Sequence, residues 1–251
     1  MRRIGADAAP FPLLCRVVLL PRNNPSGRFE QMEISGTVAS SKRVEFKDYD
    51  DWLHTQGVSV DIQESHYNLI SRELVTAFSG SEFWTKAVKS LRDVDANYQI
   101  LNAYPLISVD VPKLVTKPWP SFLHKTYRKN TLSNANFPSP PEDGWVLPQN
   151  WYERIHDIVR TTIEVKYLDG VALVLRSLCE VAGHAGCKHQ SDLEARASGC
   201  YAAHFQCEFS CPIPDISWKR YDQKVMVEVQ TTTAIKEVIK RLPSSSRTTA
   251  M

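Results

Sequence analysis

Two carboxylates stand where a carboxylate is costly. Asp157 opens the apolar, β-branched run Ile158, Val159, Thr161, Thr162, Ile163 and Val165, and Glu228 interrupts the alternating run Val225, Val227, Val229. Branched side chains at such spacing predict buried strands. A carboxylate set into one must be paired or hold a metal to offset its desolvation. Two strands that each offer a hard-oxygen ligand suit a shared magnesium ion, which takes one or two carboxylates and completes its shell with substrate phosphates and water. Upstream, Lys117, Lys125, Arg128 and Lys129 surround Ser121. If Ser121 opens a helix, Lys125 and Arg128 project near one face, and cations beside free N-terminal N–H groups suit phosphate. Such a constellation can hold a nucleoside triphosphate, neutralise charge in the transition state and orient an attacking hydroxyl. The plainer alternatives are a strand-end cap for Asp157, an ion pair of Glu228 with Lys224, and a solvated basic face.

The elements that must position these residues follow from periodicity. Tyr67, Ile70, Leu74 and Phe78 recur at helical spacing, as do Phe83, Ala87, Val88 and Leu91, with Ser81 as N-cap of the second helix. Pro105 and Pro112 keep 104–115 out of a helix. Asn150 caps a short helix, Trp151 to His156, that leads into the Asp157 strand. Leu168-Asp169-Gly170 starts the next helix, whose stripe is Val171, Leu175, Leu178 and Ala182 and which Gly183 ends. Gly186 to Ala197 reads as a polar, mobile segment, 200–209 and 224–230 as strands, 231–242 as a last amphipathic helix and 243–251 as a polar tail. Strand–turn–helix grammar gives an α/β (α+β) fold, a mixed β-sheet packed by helices. Residues 1–44 form an arm or hairpin, and one domain covers 45–242.

The 251 residues carry a net charge of +2, with 43% hydrophobic and 23% charged residues, as an ordinary soluble globular protein does. Any nucleic-acid role must therefore rest on a local patch. No run approaches the roughly 18 apolar residues of a membrane span. Arg16 breaks the apolar run from Leu13 to Leu20, which argues against a signal peptide. The six cysteines lack the close Cys-x-x-Cys spacing of structural zinc, and they read as small apolar residues in a reducing, cytoplasmic setting. A glycine-rich phosphate loop is absent.

The succession of the basic segment from Lys117, His156-Asp157-Ile158-Val159-Arg160, Tyr201-Ala202-Ala203-His204 and Glu228-Val229-Gln230 resembles the synthetase domain of the RelA/SpoT superfamily. Within it, the chain looks most like the small, single-domain toxic branch. The likeness runs from about Phe46 to Leu242. It implies a nucleotidyltransferase-like sheet and transfer of the β,γ-pyrophosphate of ATP to a ribose 3′-hydroxyl with Mg2+. It assigns Lys117, Ser121, Lys125 and Arg128 to the ATP phosphates and Asp157 to the metal. Glu228 would serve the metal and act as general base, and Arg196, Tyr201, His204 and Gln230 would bind the acceptor. Two positions depart from the pattern. Val115 stands where the family has an adenine-stacking arginine, and Cys200 where it has the base-stacking tyrosine, with Tyr201 one residue later. The second departure, with Arg2, Arg3, Arg16, Arg22 and Arg28 near the N-terminus, tilts the acceptor towards the tRNA 3′-CCA end. The resemblance also implies a neutralising antitoxin or immunity partner. The alternatives are an alarmone synthase making (p)ppGpp or (p)ppApp, and a catalytically silent module that binds nucleotide or RNA.

Overall fold

A computed structural model of the chain describes residues 43–108, 112–195 and 201–233. In chain order the elements are α1 (Tyr49–Thr55), α2 (Val60–Ser79), α3 (Glu82–Asn102), β1 (Val115–Thr116), α4 (Trp119–Tyr127), α5 (Trp151–Arg154), β2 (Val159–Val165), α6 (Leu168–His184), β3 (His189–Ala195), β4 (Tyr201–Pro214) and β5 (Arg220–Thr233). A π-helical turn, Arg128–Leu132, extends α4.

The five strands form one mixed sheet in the order β1-β2-β5-β4-β3. β2 runs parallel to β5, and the other neighbours are antiparallel. Alternation makes the sheet two-sided. Val159, Ile163 and Val165 of β2, Phe205 and Cys207 of β4, and Val225, Val227 and Val229 of β5 are buried in the single core cluster, together with the stripes of α2, α3 and α6. The other face carries Arg160 and Thr162, His204 and Gln206, and Glu228 and Gln230, all intermediate in exposure or open. One face of the sheet is core, and the other is left to chemistry.

The helical stripes lie where their spacing places them: Tyr67, Ile70, Leu74 and Phe78, then Phe83, Ala87 and Leu91, then Val171, Leu175, Leu178 and Ala182 are buried. Ser81 caps α3 by accepting from the Trp84 N–H at 3.1 Å. A Cβ on Gly170 would collide with the buried side chain of Leu106, so the turn into α6 requires glycine for close approach.

Several boundaries differ from the sequence expectation. α4 begins at Trp119, not Ser121, because Pro118 caps it and Pro120 falls in its first turn, where a missing N–H costs nothing. α5 stops at Arg154, short of His156, and Gly183 lies inside α6. Within the segment expected to be mobile, His189 to Ala195 form the edge strand β3, paired with β4. β5 continues through Thr233, so no helix starts at Thr231. The remainder of that expected helix, residues 1–42, Arg196, Cys200 and the tail lie outside the described residues.

Cys187, Cys207 and Cys211 are free thiols, and burial pushes the Cys207 thiol up to about 12. Among the described residues no group of three or more His, Cys, Asp or Glu side chains could hold a metal ion. No described helix is long and apolar enough to cross a membrane.

Candidate active site

Asp157 lies in the short connection between α5 and β2, and two lysines from different elements converge on it. The Lys117 Nζ donates to Oδ2 at 2.8 Å, and the Lys125 Nζ donates to Oδ1 at 2.7 Å. Lys117 follows β1, and its backbone is held on both sides. Its N–H donates to the Ile158 carbonyl at 2.8 Å, and its carbonyl accepts the Tyr67 hydroxyl at 2.7 Å. The side chains of Lys117 and Asp157 are only 10% and 12% exposed, and that of Lys125 is 33% exposed. Burial alone would raise the Asp157 acid, but the hydrogen bonds and charges of Lys117 and Lys125 outweigh it and hold the carboxyl below its usual range.

One carboxylate facing two ammonium groups leaves a surplus positive charge in a partly desolvated place. The surplus is felt nearby: burial first, then the charges of Lys125 and Arg154, lower the Lys129 ammonium. A polyphosphate is the kind of ligand that cancels such a surplus.

Glu228 sits on the open sheet face. In register it lies opposite Arg160 of β2 and Gln206 of β4, while His204 lies opposite Gln230. His204 reaches it on the diagonal, its Nδ1 3.2 Å from Glu228 Oε1, and its Nε2 lies 3.7 Å from Glu194 Oε2. The hydrogen bond from His204 lowers the Glu228 acid. Burial and the Asp157 charge push the other way, and the charges of His204 and Lys125 add to the lowering. Asp157 and Glu228 therefore share one electrostatic field although each has its own partners.

The other expected site residues fall into three groups. Ser121 and Arg128 lie with Lys125 at spacings of four and three residues along α4 and its π-helical extension, one exposed face. Gln230 joins Glu228 and His204 on the open face. Tyr201 lies on the opposite face, as its place in a strand one residue after Cys200 implies: it shares the parity of Phe205 and Cys207 and packs against the core. Arg196 lies outside the described residues. Lys224 pairs with Glu208 at 3.4 Å, not with Glu228.

Two features had no signal in the sequence beyond strand register. Arg160 pairs in register with both Val115 and Glu228, so a guanidinium stands beside the position that lacks the arginine. His156 Nδ1 lies 3.3 Å from Gln206 Oε1, which also accepts from Gln190, a polar chain running across β4 to β3.

The residues present fit magnesium. Asp157 and Glu228 are hard-oxygen donors in one field, and two donors suffice when phosphates and water complete the shell. Lysine ammonium groups are ordinary partners of phosphate, so a phosphate brought to this place would compete with Asp157 for the two lysines and free its oxygens.

No family model matches the chain, and no curated protein matches it. Among solved structures it is similar to the small alarmone synthetase 1 from Bacillus subtilis, with 16% identity over 76% of this chain and 75% of that chain and a TM-score of 0.39. The same protein bound to AMPCPP gives 17% identity over 77% and 75%, with a TM-score of 0.37. Smu.1046c from Streptococcus mutans UA159 gives 19% identity over 70% and 72%, with a TM-score of 0.40. Likeness at this level carries no argument about chemistry, which rests on the residues described above.

Proposed function

We propose that this protein is an ATP-dependent pyrophosphotransferase that moves the β,γ-pyrophosphate of ATP to a ribose 3′-hydroxyl, with the 3′ end of tRNA as acceptor. The observation that carries the reading is the convergence of Lys117 and Lys125 on Asp157, beside the field of a second carboxylate, Glu228.

Lys117, Lys125 and Arg128 bind the ATP phosphates, and Ser121 adds a hydroxyl donor. Magnesium, when bound, supplies charge that neutralises the phosphates during transfer, and Asp157 and Glu228 are the side chains that would hold it. Arg160 takes the place of the adenine-stacking arginine that Val115 lacks. The acceptor 3′-oxygen attacks the β-phosphorus, the bond from that phosphorus to the α,β-bridging oxygen breaks, and AMP leaves. Glu228 receives the hydroxyl proton as general base, and His204 orients its carboxylate through the 3.2 Å contact.

The acceptor side supports an RNA terminus. On the β4 and β3 side of Glu228, away from Arg160, it presents Asp192, Glu194 and the amides of Gln190 and Gln206, while Lys188 and Lys224 are drawn to Glu208. A terminal nucleotide of tRNA brings one phosphodiester charge to this acidic side. GDP or GTP brings a whole polyphosphate, which like charges disfavour. Pyrophosphate on the tRNA 3′ end blocks aminoacylation, so the product stops translation, and a cell that makes the enzyme needs a neutralising partner. The reaction belongs in the cytoplasm, where tRNA is.

Incubation with γ-labelled ATP and Mg2+, in the presence of deacylated tRNA or GDP, tests this. Label is expected on tRNA, and not on tRNA whose terminal ribose has been oxidised by periodate. Label on GDP alone would overturn the acceptor, and transfer to neither would overturn the activity.

A further inference from the structure

A second concavity lies away from the Asp157–Glu228 centre, and its lining holds polar groups that nothing in the described chain satisfies. It encloses about 580 Å3 between the turn after α1, the start of α2, α5 and the connection from β4 to β5. Tyr221, in its wall, is seven residues along β5 from Glu228, roughly 23 Å by strand rise. The volume lies within the range of small-molecule sites.

Gln63 is the key residue. It is 7% exposed and lines the cavity, yet its carboxamide makes no hydrogen bond among the described residues. Tyr152, also in the lining, buries its hydroxyl with no partner. The buried Tyr152 hydroxyl carries the desolvation penalty of an unpaired group, whereas the Gln63 amide stays open to the cavity. The neighbouring polar groups are already engaged. His66 Nε2 lies 3.0 Å from the Pro214 carbonyl, and Asp215 Oδ1 accepts from the Ser217 hydroxyl and the Lys219 N–H. Gln149 and Tyr221, also in the lining, are exposed to solvent, which leaves Gln63 as the buried carboxamide that opens on the cavity.

We propose that this cavity is a binding site for an uncharged, planar heterocycle of the nucleoside class. A carboxamide offers a donor and an acceptor side by side, which matches the edge of a nucleobase. Tyr221, Ile216 and Trp151 supply ring and aliphatic surface for its faces. Charge excludes a phosphorylated ligand: among the described residues no Lys or Arg lines the cavity, and Asp215 does. The site is joined to the catalytic lysines by α2, because Tyr67, one turn after Gln63, holds the Lys117 carbonyl. The inference stands on this cavity and does not depend on the proposed reaction.

Calorimetric titration of the full chain carrying Glu228→Ala with adenosine, guanosine, cytidine and uridine tests this site. At least one nucleoside is expected to bind at one per chain. Gln63→Leu in the same background should weaken it about tenfold or more, and Tyr152→Phe should weaken it less. Unliganded, Gln63→Leu should melt at or above the temperature of its parent, because the amide it removes has no partner. Binding of none of the four, unchanged binding in Gln63→Leu, or a lower melting temperature for Gln63→Leu would each overturn the proposal.

Discussion

Lys117 and Lys125 hold opposite oxygens of Asp157, at 2.8 and 2.7 Å, from different elements of the chain. The arrangement ties β1 and α4 to the mouth of β2 before any substrate arrives. Removing the shared carboxylate leaves two cations facing each other in a largely buried place. Breaking a buried pair this way costs about 3–5 kcal/mol, so Asp157→Ala should lower the urea midpoint by a corresponding amount. Lys125→Ala should cost less than Lys117→Ala, because the Lys125 side chain is one-third exposed and better screened.

The same partners set the acid response. Asp157 and Glu228 both have folded-state acids lowered from the ordinary carboxylate range. A depressed carboxyl contributes stability above its unfolded value, and that contribution is lost as pH falls through the folded value. The metal-free protein should therefore hold its thermal midpoint near neutrality and lose it as pH drops below the normal carboxylate range of about 4. Asp157→Asn should flatten this acid limb. A limb of equal steepness in the variant would show that the lysine pair does not set it.

Glu228 and His204 divide one task. Loss of a general base typically costs about 10²–10⁴ in rate, so Glu228→Gln should reduce kcat by that order with little change in the unfolding midpoint. His204→Ala should cost less, because the imidazole orients the carboxylate and is not itself the base. Removing its hydrogen bond also removes the main influence lowering the Glu228 acid. The acid limb of kcat/KM should then move to higher pH. A limb that stays in place would leave His204 with packing alone.

Arg160 stands beside Val115 across the β1–β2 pair. If its guanidinium stacks on adenine, Arg160→Ala should raise the KM for ATP roughly tenfold, in keeping with a cation–π contact of about 1–2 kcal/mol. Lysine should restore little, because it lacks the planar face. Full rescue by Arg160→Lys would mean that only charge matters there.

Much of this arrangement could be read from residue order alone, for physical reasons that differ by element. The alternation of Val225, Val227 and Val229 is legible because one face of β5 is core and the other is not. β3 was illegible because His189 to Asp192 are exposed: an edge strand with neither face buried has no alternation to show. α4 starts at Trp119, before the serine that looked like its opening, because the first helical turn tolerates proline. Asp157 and Glu228 announced themselves by being charged in apolar runs. The diagonal from His204 to Glu228 and the pairing of Arg160 with Val115 were not legible, because they depend on register, which residue types alone leave open. Gln63 gave no sign either, since a glutamine on a helix ordinarily faces water.

In the proposed reaction a pyrophosphate group, and not a single phosphate, leaves ATP. The direct measurement is to follow the adenine product of the purified protein with ATP, Mg2+ and deacylated tRNA, beside Asp157→Ala and Glu228→Ala. The account predicts AMP in one-to-one ratio with label gained at the tRNA 3′ end, and neither product above background in the two variants. Formation of ADP with labelled acceptor, or AMP formed equally by all three proteins, would contradict it.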